Sequence, residues 1–474
     1  MTTLTVSELA HLLLALGLLL AAAHGFGYAM SRLNQPRVIG EILGGLLLGP
    51  TVFGAIAPGL QAAVFPSATA VPAVLDAVYQ LGLLLLMFSA GAEIRGLFHR
   101  SERQSVAWIS LVGMAVPFAA GLVAVWTLHF DTLRGSASTD AAFVIVFGIA
   151  IAITSIPVIS RIMFDLGILD TSFARIVLGV AVVEDVLLYV LLAIALGLVA
   201  HGPGDTWGLP LTLGIQPGGA GSVVYHVVAE LTFLAAFIAF GPWFYGRMLR
   251  GYNPVKRGNP IGFQLVFLFG MSFLAIYLGV VPIFGAFVAG IVVSAPSGEG
   301  TTGARESLNA FAFAFFIPVY FAIVGMRLDL LQEFSVWFFV PFLAFACLVK
   351  SLSVYAGARL GGEGAASSRN LAIALNARGG PGIVLASVAL DAKIISETFY
   401  SSLVMLAILT SLMAGSWLGR IVRSGAPLRE DRTSRRSRPR PEFRTNGATE
   451  PGMPVRPTWV RLPRFLTPGS RRQR

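Results

Sequence analysis

The sequence predicts an all-α, polytopic membrane protein, and three observations predict it. The chain is 55% hydrophobic and only 12% charged, whereas soluble domains carry roughly 25% charged residues. Apolar stretches close to the roughly 20 residues that cross a bilayer recur almost to the end of the chain. Arg and Lys gather in alternate loops between those stretches, the mark of a chain threaded back and forth through a membrane.

Taken in order, the apolar stretches give thirteen expected spans, at roughly 8–30, 38–57, 73–92, 106–128, 141–164, 172–200, 224–247, 261–280, 282–296, 308–327, 335–357, 370–391 and 398–422. The first has neither a basic leader nor a clear cleavage site, so it reads as a retained span rather than a signal peptide. The ninth is the shortest. Basic loops hold Arg32 and Arg37, then Arg95, Arg100 and Arg103, then Arg247, Arg250, Lys256 and Arg257, then Arg305, then Arg359 and Arg369. The intervening loops offer little beyond Arg134, Arg327 and Lys393. The positive-inside rule therefore puts the N-terminus outside and the C-terminus in the cytoplasm of a plasma-membrane protein, and an odd number of spans demands the same.

Residues 1–423 thus form the membrane domain, and residues 424–474 are a different material. The tail reads RTSRRSRPRPEF and then RPTWVRLPRF, rich in Arg, Pro and Ser, without helical periodicity, so it is expected to be disordered. Its Trp459, Leu462 and Phe465 among arginines suit contact with anionic lipid; a plain solvated tail is the alternative. The formal charge of +10 resides mostly in this tail and in the short loops, which points to membrane orientation and away from nucleic acid. The single cysteine, Cys347, excludes a disulfide within the chain. No GxGxxG occurs in the tail, so neither a nucleotide-binding domain nor any other cofactor is expected.

One stretch conflicts with simple span chemistry. VVEDVLLYVL places Glu184 and Asp185 side by side inside the sixth span, where an ionisable group costs about 2.5–3.5 kcal/mol on insertion scales. Neighbours on a helix point about 100° apart, so the two carboxylates face different surroundings. One can face a water-filled cavity while the other pairs with a cation on another helix. A helix-packing ion pair with no transport role is the alternative. Lys350, in FLAFACLVKSLSVYAGARL, is the partner the sequence offers. Arg359 follows nine residues later at the expected helix end, about 13 Å along the axis, which puts Lys350 deep rather than at the interface.

Two neighbouring spans are interrupted. AIAITSIPVISRIMFDLG breaks its apolar run with Thr154, Ser155 and Pro157, and IALNARGGPGIVLASVAL does so with Asn376, Arg378, Gly379, Gly380, Pro381 and Gly382. Each lies one helix away from an intramembrane charge. Three-helix units with interrupted middle helices at both ends of the chain are the pattern of inverted repeats. Opposed half-helix ends then offer carbonyls to a cation and amide dipoles to balance charge.

With these residues in place, the sequence resembles the monovalent cation:proton antiporter-2 family, which includes Kef-type and bacterial sodium/proton exchangers. RVIGEILGGLLLGPTVFG, LGLLLLMFSAGAEI, FFIPVYFAIVGMRLDL, NARGGPGIVLASVAL and the Glu184–Asp185 pair carry the likeness over roughly residues 8 to 422. The resemblance implies a sodium/proton antiporter fold with two crossed broken helices. It implies a core of helices about 106–200 and 335–422, a separate dimerisation domain, hence a homodimer, and elevator-type alternating access. It places a cation- and proton-binding site at Asp185 with Glu184 and Thr154, and a charge-balancing role on Lys350. Ser155, Pro157, Asn376, Arg378, Gly379 and Gly380 fall in the broken helices. Glutamate at 184 departs from the usual Asp, Asn or Gln and leaves charge stoichiometry open. The missing nucleotide-binding domain argues against the ligand-gated potassium-efflux form.

The expected mechanism is competition, in which Asp185 binds a proton or a monovalent cation, Na+ or K+. Burial disfavours a charged carboxylate and nearby positive charge favours it, so Lys350 helps set the balance. If a cation opens the Glu184–Lys350 pair, exchange moves net charge; if the pair holds, exchange is electroneutral. A sodium-coupled symporter of organic solutes and a non-transporting sensor remain rival classes. Enzyme catalysis has no nucleophile–base or metal-ligand spacing to rest on. Glu41 reads as an interhelical hydrogen-bonding residue, Glu93 and Arg95 as a cytoplasmic helix end, and GGLLLG as a place where helices approach closely.

Overall fold

The computed structural model describes residues 4–33, 35–93, 102–128, 130–199, 207–215, 220–250, 258–294 and 299–430. The tail with Trp459, Leu462 and Phe465 lies outside them, as do Arg95, Arg100, Lys256 and Arg257. Regular structure among the described residues is helical, apart from one isolated bridge between Arg134 and Ile395.

In chain order the helices are α1 (Val6–Arg32), α2 (Arg37–Leu48), α3 (Pro58–Val64), α4 (Val71–Glu93), α5 (Arg103–Leu128) and α6 (Asp140–Ala152). Then come α7 (Ile156–Asp165), α8 (Ser172–Gly197), the single turn α9 (Leu209–Thr212), α10 (Ala220–Arg250), α11 (Pro260–Tyr277) and α12 (Pro282–Val293). The series closes with α13 (Glu299–Phe311), α14 (Ile317–Met326), α15 (Val336–Leu360), α16 (Ala365–Ala374), α17 (Gly379–Asp391) and α18 (Glu397–Arg423). All thirteen apolar stretches read from the sequence carry helix. Among the described residues, eleven helical stretches are long and apolar enough to cross a membrane, and the shorter apolar helices α6 and α12 accompany them.

Local chemistry explains where the elements start. α1 opens on a capping box, in which Thr5 and Glu8 satisfy each other's backbone amides. Thr139, Thr171, Ser335 and Ser396 each accept a backbone N–H at the heads of α6, α8, α15 and α18. GGLLLG allows close approach, since a Cβ on Gly45 would collide with the Ala322 carbonyl of α14.

The two interruptions have one cause. In a continuous helix Pro157 would donate to the carbonyl of Ile153 and Pro381 to that of Ala377, and neither has the N–H to do so. The chain accordingly leaves α6 at Ile153, with ψ at 149°, and re-enters helix at Ile156 with Pro157 in the first turn, where a missing N–H costs nothing. Between α16 and α17 residues 375–378 are likewise non-helical. α5 packs along α15 and α8 packs against α5 and α6, which brings both breaks to the acidic stretch of α8. After α18 the chain stays on this body through Glu430: Arg429 donates to the Glu363 carboxylate at 2.9 and 3.0 Å, and the Leu428 carbonyl accepts from Asn370.

Candidate functional site

The breaks meet each other through hydrogen bonds. The Ser155 amide donates to the Ala377 carbonyl at 2.7 Å, the acceptor that Pro381 leaves bare. The Thr154 hydroxyl donates to the Leu375 carbonyl at 2.6 Å. Ser155 Oγ accepts from Gly380 N at 2.9 Å and from Val158 N at 3.4 Å, so one hydroxyl caps the second half-helix of both interrupted stretches. Gly379 must be glycine for this approach, because a Cβ there would strike Val158. Pro157 contributes through its backbone position at the head of α7.

The last carbonyls of α6 face two buried cations. Arg378 donates to the carbonyls of Ile151 and Ala346, both at 2.9 Å, and to Asn376 Oδ1 at 3.1 Å. Lys350 donates to the Ala152 carbonyl, to Gly113 O at 3.0 Å and to Glu184 Oε1 at 2.7 Å. Two cations therefore stand at the negative end of the half-helix dipole. Asn376 donates to Ser351 Oγ at 2.7 Å and to Ala372 O at 3.0 Å. The junction carbonyls of Ile151, Ala152, Leu375 and Ala377 each accept a donor from the protein itself.

Glu184 and Asp185 are each 1% exposed, and Lys350 is fully buried. Their environments differ sharply. Glu184 forms an ion pair with Lys350, with neither side chain exposed. Asp185 has no cation partner among the described ion pairs, and its Oδ1 lacks a hydrogen-bond partner among the described residues. The Thr154 hydroxyl donates to Leu375 and lies beside the Glu184 carboxylate.

A cavity of about 990 Å³ lies against the earlier part of α8, with Leu178 but not Asp185 among its lining residues. Leu178 in its wall stands seven residues before Asp185, on the same helix face and about 10 Å away along the axis. Ile156 and Val158, at the head of α7, also line it, as do Arg37, Glu41 and Arg305. The chemistry available is that of a buried carboxylate without a cation partner among the described ion pairs, fixed beside an ion-paired acid and a hydrogen-bonded backbone junction.

Sequence reasoning brought together Glu184, Lys350, Thr154, Ser155, Asn376, Arg378, Gly379 and Gly380, and the structure places them within one hydrogen-bonded cluster. It passed over Ser351, the Gly113 carbonyl and Thr410, whose hydroxyl accepts from Arg378 N at 3.4 Å. Ser351 was findable as a polar residue beside Lys350; a glycine carbonyl has no side-chain signal. It also passed over Glu230 in α10, a fully buried acid away from this junction.

Interrupted helices joined back to back beside a buried acid define an ion-coupled secondary transporter. The family model described as "Sodium/hydrogen exchanger, transmembrane" matches residues 16–424, and the chain belongs to that family. It is similar to the Na(+)/H(+) antiporter NhaS4 of Synechocystis, with 27% identity over 85% of this chain and 94% of that protein. The Na(+)/H(+)-K(+) antiporter GerN of Bacillus cereus is 26% identical over 81% of this chain and 89% of its own. The K(+)/H(+) antiporter 1 of Saccharomyces cerevisiae is 28% identical over 81% of this chain, which spans only 43% of that longer protein. Among solved structures, the sodium proton antiporter MjNhaP1 from Methanocaldococcus jannaschii shares the fold, with a TM-score of 0.59 and 15% identity over 88% of this chain and 99% of that one.

Proposed function

We propose that the protein exchanges a monovalent cation, Na+ or K+, for protons across the plasma membrane, and that Asp185 is the site the two ions share. One observation carries the reading: in a member of this family, Asp185 is the carboxylate beside the interrupted helices left without a cation among the described ion pairs, while its neighbour Glu184 already has Lys350. A proton satisfies such a carboxylate by neutralising it, and a desolvated monovalent cation does so by pairing with it. The two cannot do so at once, which couples their movements. Lone pairs of Thr154 complete part of the cation's shell, and the Glu184–Lys350 pair keeps the adjacent charge balanced.

Transport then requires the site to face each side in turn. In this reading α5–α8 and α15–α18 form the moving core, and the remaining spans form a scaffold that also joins two copies in a homodimer. The N-terminus lies outside, the C-terminus in the cytoplasm, and the 990 Å³ cavity opens inward. The charge on the Arg-rich loops supports that orientation.

The test uses inverted membrane vesicles, acid inside, from cells lacking their own antiporters. Adding Na+ or K+ is expected to dissipate the pH gradient with the unaltered protein, and Asp185→Asn is expected to abolish the response. Cation-dependent dissipation that survives Asp185→Asn moves the site elsewhere.

A further inference from the structure

On the side of Asp185 away from the cavity, the membrane body contains buried hydroxyls that the exchange site does not use. Tyr189 follows Asp185 by one turn of α8 and is fully buried. It lies close enough to Tyr320 of α14 to interact with it electrostatically, and Tyr320 in turn with Tyr79 and Tyr400. The Tyr320 and Tyr79 rings stand 5.0 Å apart. Ser387 of α17 sits beside the hydroxyls of Tyr79 and Tyr400. The Tyr320 hydroxyl has no hydrogen-bond partner among the described residues, and those of Tyr79 and Ser387 have at most each other and Tyr400. A buried hydroxyl left bare costs roughly 1–3 kcal/mol, so a poorly satisfied cluster is costly as permanent core.

The series ends at charge. Arg327, just past the end of α14, lies over the Tyr79 ring at 4.6 Å and pairs with Asp76 of α4 at 3.2 Å and Asp391 of α17 at 3.4 Å. Beyond it lies a basin of about 640 Å³ walled by Arg327, Asp391, Lys393 and Glu397. Arg327 and Asp391 thus border that basin, and these hydroxyls lie behind them. The elements on the two sides also differ: Tyr79, Tyr320, Arg327 and Asp76 belong to α4 and α14, whereas Tyr189, Ser387, Asp391 and Tyr400 belong to α8, α17 and α18.

We propose that this seam is the outer half of the ion route, closed here, with Arg327 bridging Asp76 to Asp391 as its latch and the hydroxyls of Tyr79, Tyr320 and Ser387 lining it once it opens. The proposal rests on the alternating-access reading above. When the core moves against the scaffold, the Arg327–Asp391 contact parts and water reaches the Tyr320 hydroxyl and the hydroxyls of Tyr79 and Ser387. Arg327 and Asp76 stay together on the scaffold side, so the latch re-forms on return. Arg327 is a positioning residue in this scheme, because it acts on access and touches no ion at Asp185.

The experiment uses full-length protein in right-side-out vesicles, with Cys347→Ser removing the native thiol and Ser387→Cys placing a near-isosteric reporter. A membrane-impermeant, positively charged methanethiosulfonate is added outside, and labelling is timed. Arg327→Gln is expected to speed labelling about 1.5-fold to fivefold, the range that loss of one partly exposed ion pair produces; Arg327→Lys, which keeps the charge, is expected to return it toward the starting rate. Labelling unaffected by Arg327→Gln overturns the latch, and labelling reachable only from the cytoplasmic side overturns the route. Val324→Cys on the facing α14 serves as reporter should Ser387→Cys fail to accumulate. Cation-driven proton movement is followed in the same vesicles, so failure of exchange is read separately from failure of labelling.

Discussion

The two breaks that meet beside Asp185 are built from different chemistry. The first, 153–155, is short and neutral, and it offers two hydroxyls and one amide. The second, 375–378, brings an amide side chain and a guanidinium. Hydroxyls cap backbone over a single bond's reach: Thr154 bonds Leu375 across the junction, and Ser155 bonds Gly380 across it and Val158 in its own half-helix. Arg378 spans from its own break to α6 and α15 at once. The first break therefore fits the junction together locally, while the second holds the surrounding helices and supplies charge. Lys350 adds a second cation at the end of α6, so the half-helix dipole is balanced before any ion arrives. At this junction Asp185 is left without a cation among the described ion pairs.

That contrast ranks the variants. Arg378→Ala is expected to have the largest effect, because the carbonyls of Ile151 and Ala346 and the Asn376 side chain all lose a donor. At roughly 1–3 kcal/mol for each buried acceptor left bare, the total is about 3 kcal/mol or more. Thermal unfolding of purified protein in detergent measures it, and a melting curve like the parent's would break the assignment of the holding role to the second break. Ser155→Ala comes next, at about 1–2 kcal/mol, since two half-helix amides lose their cap. Thr154→Val, which keeps the shape and loses one donor, is expected to cost about 1 kcal/mol. Should Thr154→Val instead match Arg378→Ala in the same melting series, the two breaks would be equivalent and the comparison would fall.

Part of this was legible in the sequence, and the reasons are physical. Glu184, Asp185 and Lys350 stood out because charge at bilayer depth is costly, and Lys350 was the evident lysine to pair with a deep acid. The breaks stood out because proline and glycine interrupt a helix wherever they sit. Which carboxylate takes the lysine came from the family resemblance and not from spacing, because adjacent residues on a helix are separated only by direction. The occupied junction carbonyls were equally hidden, since a backbone acceptor leaves no trace in residue type. The tyrosine seam was hidden for another reason: Tyr79, Tyr189, Tyr320 and Tyr400 come from four distant helices, and each alone is an ordinary residue of an apolar span.

The central claim is that proton and cation exclude one another at Asp185. Its most direct test is proton release on cation binding, followed with a pH indicator in weakly buffered, purified protein. Addition of the transported cation is expected to release protons in a saturable way, and Asp185→Asn is expected to release none while remaining folded by its melting curve. Saturable cation binding by the unaltered protein without proton release would contradict the account.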